Sequence, residues 1–174
     1  NDNISGGEGS DTITGDDGAD VVSGGDDDDL IYGNNGADNL SGDDGNDTIY
    51  GGAGADTING NDGDDTLAGD AGNDTMNGGD GNDTMYGDTL YDNLGNPGGG
   101  NDTMNGGDGD DYMSGGFGND VMNGDDGDDT IRGDTGNDTI NGGVGDDNLE
   151  GEAGNDTITG GEGDDHMSGG AGKD

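Results

Sequence analysis

An all-β repeat fold, with short strands joined by glycine-rich turns, is what this sequence predicts. Three observations carry that expectation. The chain repeats with a period of nine residues over nearly its whole length. One position of the nine is always Ile, Leu, Val or Met, so the large apolar side chains form a single file. Each of these residues sits in a three-residue segment bounded by glycine and often carrying Thr, a strand signal rather than a helical one. Tandem periodicity of this kind is the mark of a solenoid.

The frame is plain at Gly6-Gly7-Glu8-Gly9-Ser10-Asp11-Thr12-Ile13-Thr14, which reads G-G-x-G-x-D-x-U-x, with U a large apolar residue. It recurs without a slip from Gly15 to the repeat that opens at Gly78, and again from Gly106 to the repeat that opens at Gly160. The sixth position is Asp in every copy: Asp2, Asp11, Asp20, Asp29, Asp38, Asp47, Asp56, Asp65, Asp74, Asp83, Asp102, Asp111, Asp120, Asp129, Asp138, Asp147, Asp156, Asp165 and Asp174. The eighth runs from Ile4 to Met167 and includes all six methionines.

Within segments such as Thr48-Ile49-Tyr50 the central side chain points opposite to its neighbours. The eighth position is therefore expected to face inward, and the seventh and ninth to face solvent. Glycines at the first and fourth positions are expected to take positive φ and to let the backbone approach an ion.

Composition pulls the other way. The 174 residues carry 44 acidic side chains against two basic ones, a formal net charge of −42, and only 22% are hydrophobic. So polar and self-repelling a chain ordinarily stays disordered. The charge excludes nucleic acid as a direct partner. No apolar run approaches the roughly 18 residues of a membrane span. The absence of Cys rules out disulfides and thiolate metal sites.

The nonapeptide resembles the repeats of the RTX (repeats-in-toxin) family of exported bacterial proteins, whose calcium-binding parallel β-helix signature it matches directly. The resemblance covers essentially residues 1–174 and implies one domain: a right-handed parallel β-roll (β-solenoid), with two short strands and 18 residues per turn. The first six residues of each repeat would form a calcium-binding turn and the last three a strand. Each Ca2+ would lie between loops two repeats apart. Its ligands would be the sixth-position aspartates from Asp2 to Asp174. Backbone carbonyls of Gly6, Gly9, Gly15, Gly18, Gly42, Gly45, Gly51, Gly54, Gly60, Gly63, Gly106, Gly109, Gly124, Gly127 and equivalent loop positions would complete the sets. The donor chemistry agrees, because calcium takes six to eight hard oxygens, whereas zinc and copper want His or Cys. Strands about 4.8 Å apart over some nine turns make a rod of roughly 45 Å. Roughly 12–17 ions would neutralise most of the charge, so folding is expected to be coupled to calcium binding.

Several positions depart from the pattern. Asp27 stands at a fourth position, either as a tolerated substitution or as a rearranged site. Residues 87–105 are ten longer than one repeat, with the only Pro, and an insertion is expected near 88–99. It reads as a plain loop excursion or as a partner contact through Leu90, Tyr91 and Leu94; Asp88 or Asp92 is a spare ligand. Tyr32, Tyr50 and Tyr86 share the ninth position at multiples of 18, with Ala68 between, and are expected to line one outer face. His166 is expected at the surface, and the Asn-Asp-Thr sequons are by-products of the repeat. The methionines cluster beside the insertion, where Met adapts to a distorted core.

Function follows from resemblance more than from any catalytic signature. The leading expectation is a calcium-binding structural module of a secreted or cell-surface protein. It would pass an export apparatus unfolded, by type I secretion, and fold on meeting external calcium. The alternatives are the non-catalytic roll of a secreted enzyme or cytolysin, and a segment of a surface layer, adhesin or filament. No HExxH, GxSxG or nucleophile–base constellation is present, so no enzyme activity is expected of these residues. The partial repeats at 1–5 and 169–174 are expected to mark a fragment or a unit that associates end to end.

Overall fold

The computed structural model of the chain describes residues 1–88 and 99–174. Its strands are β1 (Asn3–Glu8), β2 (Thr12–Thr14), β3 (Val21–Asp26), β4 (Leu30–Asn35), β5 (Asn39–Asp44), β6 (Thr48–Ala53), β7 (Thr57–Asp62), β8 (Thr66–Ala71), β9 (Thr75–Asp80), β10 (Thr84–Tyr86), β11 (Thr103–Asp108), β12 (Tyr112–Ser114), β13 (Val121–Asp126), β14 (Thr130–Arg132), β15 (Thr139–Val144), β16 (Asn148–Glu150), β17 (Thr157–Glu162) and β18 (His166–Ser168). Odd-numbered strands form one nine-stranded sheet and even-numbered strands a second, both in unbroken order. All these pairings are parallel, with like positions in register, as in Ile31↔Ile49 and Leu40↔Ile58. The architecture is the expected all-β parallel solenoid of about nine turns, one turn being two repeats.

The turn length comes from alternating the two strand sets. Each x-U-x segment is too short to bury its apolar residue alone, so consecutive segments face each other across the interior. Each then pairs with the segment 18 residues away. Among the described residues, fifteen eighth-position side chains from Ile13 to Leu149 form the core, none more than 6% exposed. In odd-numbered strands such as β3 and β7 the seventh position is exposed and the ninth half-buried. Met76, Met85, Met104, Met113 and Met122 are fully buried beside the insertion.

Two local expectations need correction. Strands are not confined to three residues. Every odd-numbered strand runs on through the first three loop positions and is six long, as in β11. Successive turns have the same shape, so loop amides and carbonyls also meet their equivalents, as in Gly7↔Gly25 and Glu8↔Asp26. Positive φ falls at the second and fourth positions, not the first and fourth: Gly7 is at +110° and Gly36 at +150°. Asp and Asn take the left-handed second position repeatedly, as at Asp16, Asn34 and Asp125, because their short polar side chains tolerate it. Asp27 holds φ +76° at a fourth position, so its backbone accepts the substitution.

The first position is glycine for a different reason. A Cβ on Gly51 would stand 2.6 Å from Asp56 Oδ2 and 2.8 Å from the Gly69 carbonyl oxygen. The space is already filled by oxygens.

On the outer face Tyr32 and Tyr50 stack with centroids 5.2 Å apart and planes 9° off parallel. Tyr86, in register with Ala68, tilts instead onto Tyr112, a seventh-position residue, at 6.0 Å. His166 is exposed, as expected. Leu90, Tyr91, Asp92 and Leu94 lie outside the described residues, so the readings placed on them have no structural counterpart. No helix among the described residues is long and apolar enough to cross a membrane.

Candidate metal centre

The sixth-position aspartates form two ladders, one along each edge where the chain passes from sheet to sheet. Asp20, Asp38, Asp56, Asp74, Asp102, Asp120, Asp138 and Asp156 precede odd-numbered strands. Asp29, Asp47, Asp65, Asp83, Asp111, Asp129 and Asp147 precede even-numbered ones. All fifteen are at most 5% exposed. Asp2, Asp11, Asp165 and Asp174, in the terminal turns, are more exposed.

The local cause is the turn at the fourth position. It carries the sixth-position amide off the sheet ladder, and a buried amide must find an acceptor elsewhere. The carboxylate one turn later supplies it: Asp20 N–H donates to Asp38 Oδ1 at 2.8 Å, and Asp29 N–H to Asp47 Oδ1 at 2.7 Å. Across the insertion the same bond joins Asp74 N–H to Asp102 Oδ1 at 2.8 Å over 28 residues, ten more than the regular turn.

A second ladder runs in the opposite direction, and sequence reasoning missed it. The fifth-position amide donates to the fifth-position side chain one turn earlier, as Asp64 N–H does to Asn46 Oδ1 at 2.8 Å and Asn137 N–H to Asn119 Oδ1 at 2.8 Å. The recurrence of Asn and Asp at that position was the available signal. It also gives the sequon asparagines a structural role: Asn46, Asn73, Asn82, Asn101, Asn137 and Asn155 all accept such bonds.

One oxygen of each buried ladder aspartate is left over. Oδ2 of all fifteen, from Asp20 to Asp156, is buried without a hydrogen-bond partner. A buried anionic oxygen without a donor is costly, and a ladder of them calls for a positive charge. The surroundings are oxygen-rich. Each Oδ2 lies over the first-position glycine of its own loop, close to the first-position carbonyl of the next turn: the Cβ point of Gly15 is 2.9 Å from Asp20 Oδ2 and 2.9 Å from Gly33 O. Fourth-position carbonyls stack similarly, Gly54 O lying directly against Gly72. Carboxylate and carbonyl oxygens brought together by backbone with no side chain in the way fit calcium. Among the described residues no three acidic or imidazole side chains converge on one point, so a cation here would draw heavily on those carbonyls.

Burial moves several carboxyls of the central turns far from their ordinary values. It raises Asp102 to about 8, Asp74 and Asp65 to about 7, and Asp56 and Asp83 to about 6, against a partial lowering by the amide that each Oδ1 accepts. Neighbouring carboxylates add to the rise, Asp56 acting on Asp74 and Asp74 on Asp102. The sign for stability follows. Groups raised in the folded state favour the roll when protonated, and that contribution is fully present below about pH 4. It is lost as pH rises through the range from about 6 to about 8. The calcium-depleted chain is therefore expected to show more β signal by circular dichroism at pH 5 than at pH 8; a signal that grows with pH would contradict this.

A profile described as the RTX calcium-binding nonapeptide repeat (4 copies) matches residues 1–31, 32–67, 59–94, 98–122, 114–149, 123–158 and 141–174. No curated protein matches the chain.

Proposed function

The chain belongs to the RTX calcium-binding nonapeptide-repeat family, and from that premise we propose that it is a calcium-triggered structural module, unfolded without the ion and rolled when loaded. The observation that carries this reading is the file of fifteen buried Oδ2 atoms without partners. The ladder aspartates would supply the anionic ligands, and the first- and fourth-position carbonyls the neutral ones. The ion would supply the charge that lets carboxylates lie one turn apart inside the fold. The β-roll is a structural repeat domain and not a catalytic fold.

The trigger suits export. Extracellular modules bind calcium at about 10⁻⁴–10⁻³ M, far above cytosolic levels. The chain would stay extended inside a bacterium, pass a secretion channel, and roll outside. Family membership supports secretion, and the low count of basic residues, two in all, supports a sharp response because few internal cations can stand in for calcium.

Equilibrium dialysis against calcium tests the reading. Roughly 12–17 ions per chain are expected, with magnesium a poor competitor because it holds its water and demands an octahedron. Binding of no calcium, or of one or two ions only, would overturn it.

A further inference from the structure

The turn that opens at Gly87 buries a carboxylate that the nonapeptide does not provide for. Asp88 is at the second position and is 5% exposed. The acids and asparagines at other second positions, such as Asp16, Asn34, Asp43 and Asp125, are half-buried or exposed.

One of its oxygens has a structural task. In regular turns the third-position N–H donates to the second-position carbonyl of the preceding turn, as Asn35 does to Asp16 O at 3.0 Å and Ala153 to Asp134 O at 2.9 Å. At the insertion, Phe117 N–H donates instead to Asp88 Oδ2 at 3.0 Å, and Gly100 N–H approaches the same oxygen at 3.4 Å. The side chain thus takes over an acceptor position in the ladder.

Its other oxygen has none. Asp88 Oδ1 is buried without a partner, and among the described residues it is the only such side-chain oxygen off the sixth position. A second orphan lies in the same turn: Asp102 Oδ2 is 2.5 Å from the Cβ point of Gly87, the residue that adjoins Asp88. Asp120 and Asp70 bear electrostatically on Asp88, and Asp88 in turn on Asp74 and Asp102. No other turn of the described roll gathers a buried off-pattern carboxylate into its aspartate ladder.

We propose that Asp88 Oδ1 ligates a calcium ion of its own at the insertion, outside the nonapeptide pattern, with loop oxygens of the adjoining turns. This rests on the calcium-binding reading above. The insertion then costs the roll no cation, because the carboxylate that mends the ladder with one oxygen holds an ion with the other.

Calcium counting on the wild-type chain and on Asp88→Asn tests it. Asn keeps an oxygen for Phe117 N–H and removes the anionic ligand. The expected result is a variant that still rolls and binds one ion fewer, while Asp16→Asn binds the wild-type number. An unchanged count in a rolled Asp88→Asn overturns the proposal and leaves the family reading intact. A wild-type chain that binds no calcium overturns both. Should Asp88→Asn fail to roll, anomalous diffraction from calcium-loaded wild-type crystals decides: an ion about 2.3–2.6 Å from Asp88 Oδ1 upholds the proposal, and none there overturns it.

Discussion

Stripping calcium from the chain at pH 7.5 is expected to abolish the roll. Among the described residues a single cation stands beside a ladder carboxylate, the N-terminal ammonium 3.2 Å from Asp20 Oδ1. A nine-residue repeat brings at most one large apolar side chain to the core, and Met167 of the last full repeat is 51% exposed, which is little to set against the entropy of ordering nine backbone residues. Fifteen ladder carboxylates meanwhile sit buried with an oxygen unpaired. Arg132, one of the two basic residues, is engaged with Glu150 on the outer face at 3.2 Å. Without the ions, unrolling returns every carboxylate to water. Far-UV circular dichroism should lose its β band in chelator, and the radius of gyration by small-angle scattering should rise from about 16 Å towards about 44 Å. Calcium in millimolar excess should restore both, and magnesium should not. A compact, β-rich chain in chelator at this pH would sink the account.

The second large effect is expected from one methyl group. Gly72 stands at a fourth position with φ +148°, and a Cβ there would lie 1.4 Å from Gly54 O and 2.5 Å from its carbonyl carbon. Neither atom can yield, because both are backbone held by the adjacent turn. Gly72→Ala is therefore expected to cost more than about 4 kcal/mol, the range reserved for severe disruption. It should show as a loss of β signal at calcium concentrations that saturate the wild type. Gly7→Asn is the control. Gly7 is also left-handed, at +110°, but it lies in the first turn and no atom stands within 4 Å of its Cβ point. Asn already serves at second positions, as Asn34 and Asn61, so a cost of only about 1 kcal/mol, the low end for a left-handed residue other than glycine, is expected. Equal damage from both substitutions would mean that φ alone, and not the close approach of neighbouring turns, makes the fourth position glycine.

Much of this molecule was legible in the chain alone, for a reason that can be traced to residues. In a strict repeat the neighbour of every residue is its own equivalent one turn away. Ile31 meets Ile49 and Tyr32 meets Tyr50, so the core file, the outer tyrosines and the position of the buried aspartates all follow from one nonapeptide and the period. The role of the first-position glycine was harder to see. A sequence shows that Gly recurs there but not why, and the reason is contact with Asp56 Oδ2 and Gly69 O in the case of Gly51, not a left-handed backbone.

By itself, then, the sequence determined the all-β repeat class, the inward file of eighth-position residues and the family. Those depend on local alternation and on a period that needs no third dimension. Only the tertiary structure decided that the fifth- and sixth-position side chains reach in opposite directions, that each ladder aspartate keeps one oxygen unpaired, and that Asp88 joins them. These are contacts between turns, 18 residues apart in the regular roll and 28 across the insertion. Where the spacing changes, the repeat no longer says which groups meet.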